Sequence, residues 1–250
     1  MIRGMYTAAA GMMTMLARAQ TISNNLANVN TPGFREDTLR QTTFPQQLMA
    51  RLFAGGNVKG VGPSAMGVVN ESTVIRYTQG AFRGTDSPLD MAVQGTGFFS
   101  VQTAQGVRYT RDGSFQRDGD GRLVTSRGDL VLDAGGAPLT VPAGLIVVDT
   151  RGQIFVNDQP VGQIGVTEFV EPQQLRKAAN NLFEDTNNLA KPQPSPASLV
   201  HQGYLEGSNV DPARAMADLL AAQRSYESSA RMIQLQDDMT AKAANEVGKL

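Results

Sequence analysis

Cysteine and tryptophan are absent from the 250-residue chain, and histidine occurs once, as His201. Without cysteine there is no disulfide, thiolate metal site or thiol catalysis, a composition that suits passage into an oxidising space. One histidine leaves a His-paired nucleophile a single place to be built. The neighbouring Gly203 and Tyr204 offer it no partner, so His201 reads as a structural or surface residue. Neither sign of charge is in excess: 22 Lys and Arg face 23 Asp and Glu, for a formal net charge of -1. That balance gives no electrostatic reason to expect nucleic acid or an anionic membrane as partner. Long apolar runs are missing too, and no window approaches the roughly 18 residues needed to span a bilayer. Arg3 and Ala17-Arg18-Ala19 imitate a secretory signal with its cleavage site. Thr7, Gly11 and Thr14 interrupt the supposed apolar core, however, and the apolar pattern runs on past the apparent cut, so export is expected by another route.

What the chain does contain is periodicity at its two ends. Met5, Ala8, Met12, Met15, Ala19, Ile22, Leu26 and Val29 recur at spacings of three and four. Such a heptad seam predicts a helix that ends at Pro32-Gly33 and asks for partner helices. Alanine and methionine stand where a strong coil would carry leucine and isoleucine, which favours close approach and adaptable packing. An amphipathic helix lying on its own domain's core is the alternative. Near the other end Asp211 is placed to cap a helix whose first position is Pro212, where the missing N–H costs nothing. Met216, Leu219, Ala222, Tyr226, Ala230 and Ile233 then form a second thin stripe, interrupted at Asp237 and Asp238.

Between the ends, short β-prone runs alternate with turn residues: Val107 to Thr110 before Asp112-Gly113, Gln116 to Asp118 before Gly119-Asp120-Gly121, and Leu130 to Leu132 before Gly135-Gly136. Leu145 to Val148, Ile154 to Val156 and Ile164 to Phe169 continue the series, with turns at Asp149 to Gly152 and at Asn157-Asp158. These read as hairpins in one antiparallel domain. The fold class expected is α+β, divided into an N-terminal helix (1–33), an extended link (34–79), a β-rich domain (80–190), a second link (191–209) and a C-terminal helix (210–250). A short helical piece is expected within the first link, from Pro45 to Phe53, ahead of a glycine-rich run from Gly55 to Gly67. Lys191 to Pro196 reads as a proline-spaced connector.

Motifs of chemistry are weak. Gly95-Thr96-Gly97-Phe98-Phe99 lacks the third glycine, the lysine and the strand-to-helix context of a phosphate loop, and reads as a turn into a strand. Asp118-Gly119-Asp120-Gly121 lacks the closing acid of a calcium loop and reads as a hairpin tip. No catalytic residue, cofactor site or metal site is assigned.

Four segments carry a resemblance. NNLANVNTPGFR (24–35) is similar to the signature that ends the N-terminal helix of the flagellar axial proteins, the family of rod and hook subunits. SPLDMAVQGTGFF (87–99) and YTRDGSF (109–115) resemble the family's entry into its β domain, and GYLEGSNVDPARAMADLLAAQRSYE (203–227) resembles its C-terminal signature. The MIRGMYTAAAGM opening and the chain length are most similar to basal-body rod subunits of the FlgF and FlgG kind. The stretch from Phe44 to Gly67 and the ending KAANEVGKL are closer to FlgF. The resemblance implies a structural subunit, not an enzyme, exported by the flagellar type III apparatus and assembled in the basal body outside the cytoplasmic membrane. Its partners would be copies of itself, other rod and hook-basal-body subunits, the export apparatus and the ring bushing, with neither nucleic acid nor a small-molecule substrate. Carried onto this chain, the two apolar stripes named above would be the subunit interface around a channel. Asn24, Asn25, Asn28, Thr31, Gly33 and Phe34 would turn the chain at the helix end, asparagine being tolerant of left-handed backbone. Thin seams that bury little apolar area are expected to order when neighbours supply the rest. A secreted adhesin with coiled-coil ends, and a hydrolase hidden in the β domain, are the alternatives from other classes.

Overall fold

The computed structural model describes residues 2–43, 47–52, 58–64, 68–186, 189–194 and 198–247. The chain is α+β, with a helix near each end and antiparallel strands between. It divides into two compact units. One gathers 1–27, 37–74 and 211–250; the other gathers 28–36 and 75–210.

In the first unit, helix α1 spans Ile2–Ala27 and helix α2 spans Pro212–Val247. The cap of α2 is as the sequence foretells: Asp211 Oδ1 accepts from the Ala213 and Arg214 amides at 3.0 and 3.2 Å, and Pro212 occupies the first helical position. Helix α1 stops earlier than Pro32-Gly33. The Thr31 amide bonds back to Asn28 O at 3.1 Å, and the asparagine-rich segment turns instead of propagating the helix, leaving Val29 outside it. The two helices pack antiparallel. A Cβ on Gly4 would meet the Gln236 side chain, one on Gly11 would lie 3.6 Å from Ser229 Oγ, and Arg18 faces Asp218 at 3.8 Å. The expected helical piece from Pro45 to Phe53 is a correction. Gln47–Leu52 is a strand paired antiparallel with Val58–Ser64, since local helix propensity yields to pairing with a partner strand; residues 45, 46 and 53 lie outside the described residues. Asp37–Thr43 pairs with Val68–Ile75.

The second unit is built on a nine-stranded antiparallel sheet whose central strand is Phe98–Thr103. That strand pairs with Gly106–Thr110 on one side and with Leu130–Val131 and Val166–Phe169 on the other. Successive side chains point to opposite faces. Phe99 therefore enters the main core, edge-to-face with Phe115 at 5.0 Å and beside Met91, Leu123, Ile154 and Val200. Phe98 enters a smaller core with Phe169, Leu175 and Phe183. A three-stranded sheet, Ile146–Val148, Gln153–Val156 and Gln159–Gln163, adds Ile154 and Val156 to the main core.

Four hairpin tips repeat one piece of chemistry. Asp118, Thr125, Asp133 and Asp149 each accept, through a side-chain oxygen, the amides two and four residues on, at 2.8 to 3.4 Å. The residue three positions on is glycine each time, with φ between +79° and +91°. A type I turn followed by one left-handed residue needs that pattern, because only glycine adopts the last position without strain. The expected tips at 118–121, 135–136, 149–152 and Asn157-Asp158 are all found. Asp112-Gly113 is a correction: Gly106–Thr110 pairs backwards with Phe98–Thr103, and Phe115–Arg117 pairs forwards with Leu123–Thr125, so no hairpin closes there. Gly113 instead lies so close to Met91 O that a Cβ has no room.

Candidate functional site

The predicted interface residues divide between covered and open positions. On α1, Ala8, Met12, Met15, Ala19, Ile22 and Leu26 are half-buried and Met5 is exposed; the fully buried residues are Thr14 and Asn25, one step round the helix from the predicted stripe. On α2, Ala222 is buried, Leu219, Ala230 and Ile233 are half-buried, and Met216 and Tyr226 are exposed. Thr14 is satisfied within its own helix, Oγ1 donating to Ala10 O at 2.8 Å. Large apolar side chains outside the predicted stripes stand in water: Tyr6, Met13 at 73% and Leu16 on α1, and Leu220, Met232, Leu235 and Met239 on α2. No described helix is long and apolar enough to cross a membrane.

Asn25 belongs to the predicted turn cluster but does something more specific. Its amide nitrogen donates to Asp37 O at 2.7 Å while its Oδ1 accepts from the Asp37 amide at 2.9 Å, so a buried side chain holds both backbone groups of the residue that opens the first strand. Asn24 is exposed near the end of α1. Asn28 accepts from Thr31 twice, at its carbonyl from the amide and at its Oδ1 from the hydroxyl.

In the second unit, Gly33 adopts φ +66°, and any Cβ there would strike the backbone of Arg111. Its amide donates to Glu206 O at 2.7 Å. Phe34 is buried with the Lys177 ammonium 3.7 Å above its ring, and that ammonium also donates to Arg35 O. Arg35 lies at the centre of the site. Its Nη1 donates to Glu206 Oε1 at 2.6 Å and to Thr78 O at 2.9 Å. Arg111 reaches the other carboxylate oxygen at 3.2 Å and donates to Val93 O and Gly95 O, with its guanidinium 4.7 Å over the ring of Phe98. Glu206 is wholly buried and also accepts from the Gly80 amide at 2.8 Å. Burial pulls the Arg111 guanidinium down to about 10; Glu206 pushes the other way and Arg35 adds to the fall. Asn209 completes the clasp, its Oδ1 accepting from the Glu36 amide at 2.7 Å and its Nδ2 donating to Arg76 O and Thr78 O. This arrangement holds chain segments together and presents no nucleophile or acid–base pair. His201 bonds Gln94 Oε1 at 2.7 Å and sits between the rings of Phe82 and Tyr204.

Arg35, Arg111, Glu206 and Asn209 were not foreseen as a group. The available signal was their position: each is a polar residue inside one of the signature segments, and three such segments meet at this one place. Family comparison follows the same segments. Residues 5–35 match the description "Flagella basal body rod protein", 92–156 match "Flagellar hook protein FlgE/F/G D1 domain", and 201–246 match "Flagellar basal body rod FlgEFG protein C-terminal". Over 252 residues, covering all of both chains, the protein is 34% identical to the flagellar basal-body rod protein FlgF of Caulobacter vibrioides. It belongs to the flagellar basal-body rod protein family. Across 271 residues it is also 32% identical to the hook-basal body complex protein FlhO of Bacillus subtilis, again with full coverage of both. With the FlgG rod protein of Caulobacter vibrioides it shares 34% identity over 257 residues, covering 95% of this chain and 97% of that one. The rod family is structural, and this member is a structural rod subunit whose place is the flagellar basal body.

Proposed function

We propose that this rod-family subunit self-assembles, with copies of itself and with other hook-basal-body subunits, into the axial tube outside the cytoplasmic membrane after delivery by the type III apparatus. Its terminal helices are the polymerising layer, working as a coiled-coil-like pair. The observation that carries the reading is the set of large apolar side chains on both helices that stays exposed although α1 and α2 already pack together. Large apolar side chains left exposed on a paired set of helices are the kind of surface that a protein partner covers. The predicted stripes serve the packing in part: Ala222, Leu219 and Ile233 support it with the α1 residues, Tyr226 shares the face of Leu219 and Ile233 but is partly exposed, and Met5 and Met216 stay uncovered. A head-to-tail contact whose rotation does not close gives a helical tube from one small subunit.

Within the rod we favour a proximal, FlgF-type position, supported by the match to FlgF along the full length of both chains. A distal, FlgG-type position is the second reading, favoured by FlgG relatives of similar identity. The discriminating experiment is electron microscopy of basal bodies from a deletion strain: a rod stopped short of its distal segment supports the proximal position, and a rod that lacks only its outer end supports the distal one. Leu219→Asp and Leu16→Asp are expected to leave the β-rich unit folded, to keep the protein out of purified basal bodies and to abolish swimming. Normal swimming by both strains would overturn the assembly reading.

A further inference from the structure

The Arg35–Glu206–Arg111 cluster is lopsided in sequence. Glu206 stands 171 residues after Arg35 and 95 residues after Arg111, so both cations are made long before the carboxylate that both of them bind. The two arginines are 1% and 2% exposed and Glu206 is 0% exposed. Their remaining hydrogen bonds go to backbone carbonyls, Thr78 O for Arg35 and Val93 O and Gly95 O for Arg111, which orient the guanidiniums without neutralising them, and the Phe98 ring and the Glu168 carboxylate add only weaker attraction at Arg111. Nε of each arginine is buried with no hydrogen-bond acceptor. A buried cation without a counter-charge is among the costliest things a protein interior can hold, and two side by side repel as well.

We propose that Glu206 is a late-arriving key: the unit formed by 28–36 and 75–210 cannot close its interior until the strand Tyr204–Glu206 has paired with Phe82–Gly84 and delivered the carboxylate between Arg35 and Arg111. The same stretch brings further closing parts. Leu199–Gln202 pairs with Met91–Gln94 and places Val200 in the main core, Leu205 is buried, and Glu206 O receives the Gly33 amide. The pKa of the Arg111 cation, pulled down to about 10 by burial, agrees with a charge held at a cost that Glu206 only partly offsets. Chains are synthesised from the N-terminus, so a nascent chain stays open until residue 206 is free to reach back. On the rod reading, in which the subunit is threaded through a narrow export conduit, the device would delay closure until most of the chain has passed.

The test uses the full-length protein and pulsed hydrogen exchange during refolding, and is independent of any flagellar assay. In the natural protein the amides of Phe98–Thr103 and Gly106–Thr110 are expected to gain protection in the same kinetic phase as those of Leu199–Gln202 and Tyr204–Glu206. Glu206→Leu alone is expected to lower the folded-to-unfolded ratio by roughly two to three orders of magnitude, the usual consequence of stranding a buried charge. Because that variant can fail to fold, the decisive one is Arg35→Met/Arg111→Met/Glu206→Leu, which removes all three charges. It is expected to fold, with the central strands protected ahead of the C-terminal ones. Central strands protected first in the natural protein, or a triple variant that keeps the single shared phase, would overturn the proposal.

Discussion

Asn25 shows how much one side chain can fix when it is buried among backbone groups. It bonds both the amide and the carbonyl of Asp37, so Asn25→Ala would remove two part-buried hydrogen bonds at once. The expected loss is about 1–2 kcal/mol for the helix-bearing unit, read from urea unfolding followed by circular dichroism. Asp112 makes a different prediction. Burial raises its pKa from the ordinary aspartate value, while the Ser114 hydroxyl and amide pull the other way. A carboxyl raised in the folded state adds stability below its unfolded value and forfeits it as the pH climbs through the folded one. Asp112→Asn keeps an Oδ1 acceptor for Ser114 and cannot ionise. It should therefore be more stable than the natural protein at neutral pH, and the difference should vanish under strongly acid conditions, as thermal melts across a pH series would report.

Helix α1 and helix α2 meet through small residues, and this can be tested at the scale of the pair. A methyl group on Gly11 would sit 3.6 Å from Ser229 Oγ, ordinary contact distance. Gly11→Ala should raise helix stability by roughly 0.5–1 kcal/mol, because glycine inside a helix is that much poorer than alanine. Gly11→Phe should instead pry the pair apart and lower the melting temperature. Periodicity made both helices legible from the sequence, and Asp211-Pro212 fixed the start of α2 to the residue. Other parts of the elements were hidden for definable reasons. The hydrophobic stripe of α1 lies one step round from the buried centre, because Thr14 and Asn25 are polar and a hydrophobic pattern passes over them. Asp112-Gly113 looked like a hairpin tip, but strand partners are chosen by distant residues. The Pro45 to Phe53 segment failed similarly, its partner strand lying beyond the local window. Hairpin tips with aspartate followed three residues later by glycine were readable because their hydrogen bonds close within five residues.

For the whole chain, the decisive information was non-local. No spacing rule joins Arg35, Arg111 and Glu206, and only the recurrence of signature segments hinted that they share a place. The β-rich unit nevertheless contains everything the clasp needs, including both cores, the triad and Asn209. A fragment of residues 28–210, with 37–74 replaced by a short glycine-serine linker, is accordingly expected to unfold in a single cooperative transition with a β-type circular dichroism spectrum. A broad, non-cooperative melt would show that the unit depends on the helices. The open row on those helices is rich in thioethers, with Met13, Met216, Met232 and Met239 all standing in water. Such side chains are unbranched and polarisable, and they mould themselves to whatever contour they meet. A strip made of them has no fixed shape to impose, so one chain can seat against unlike neighbours, as it must wherever a tube changes from one kind of building block to the next.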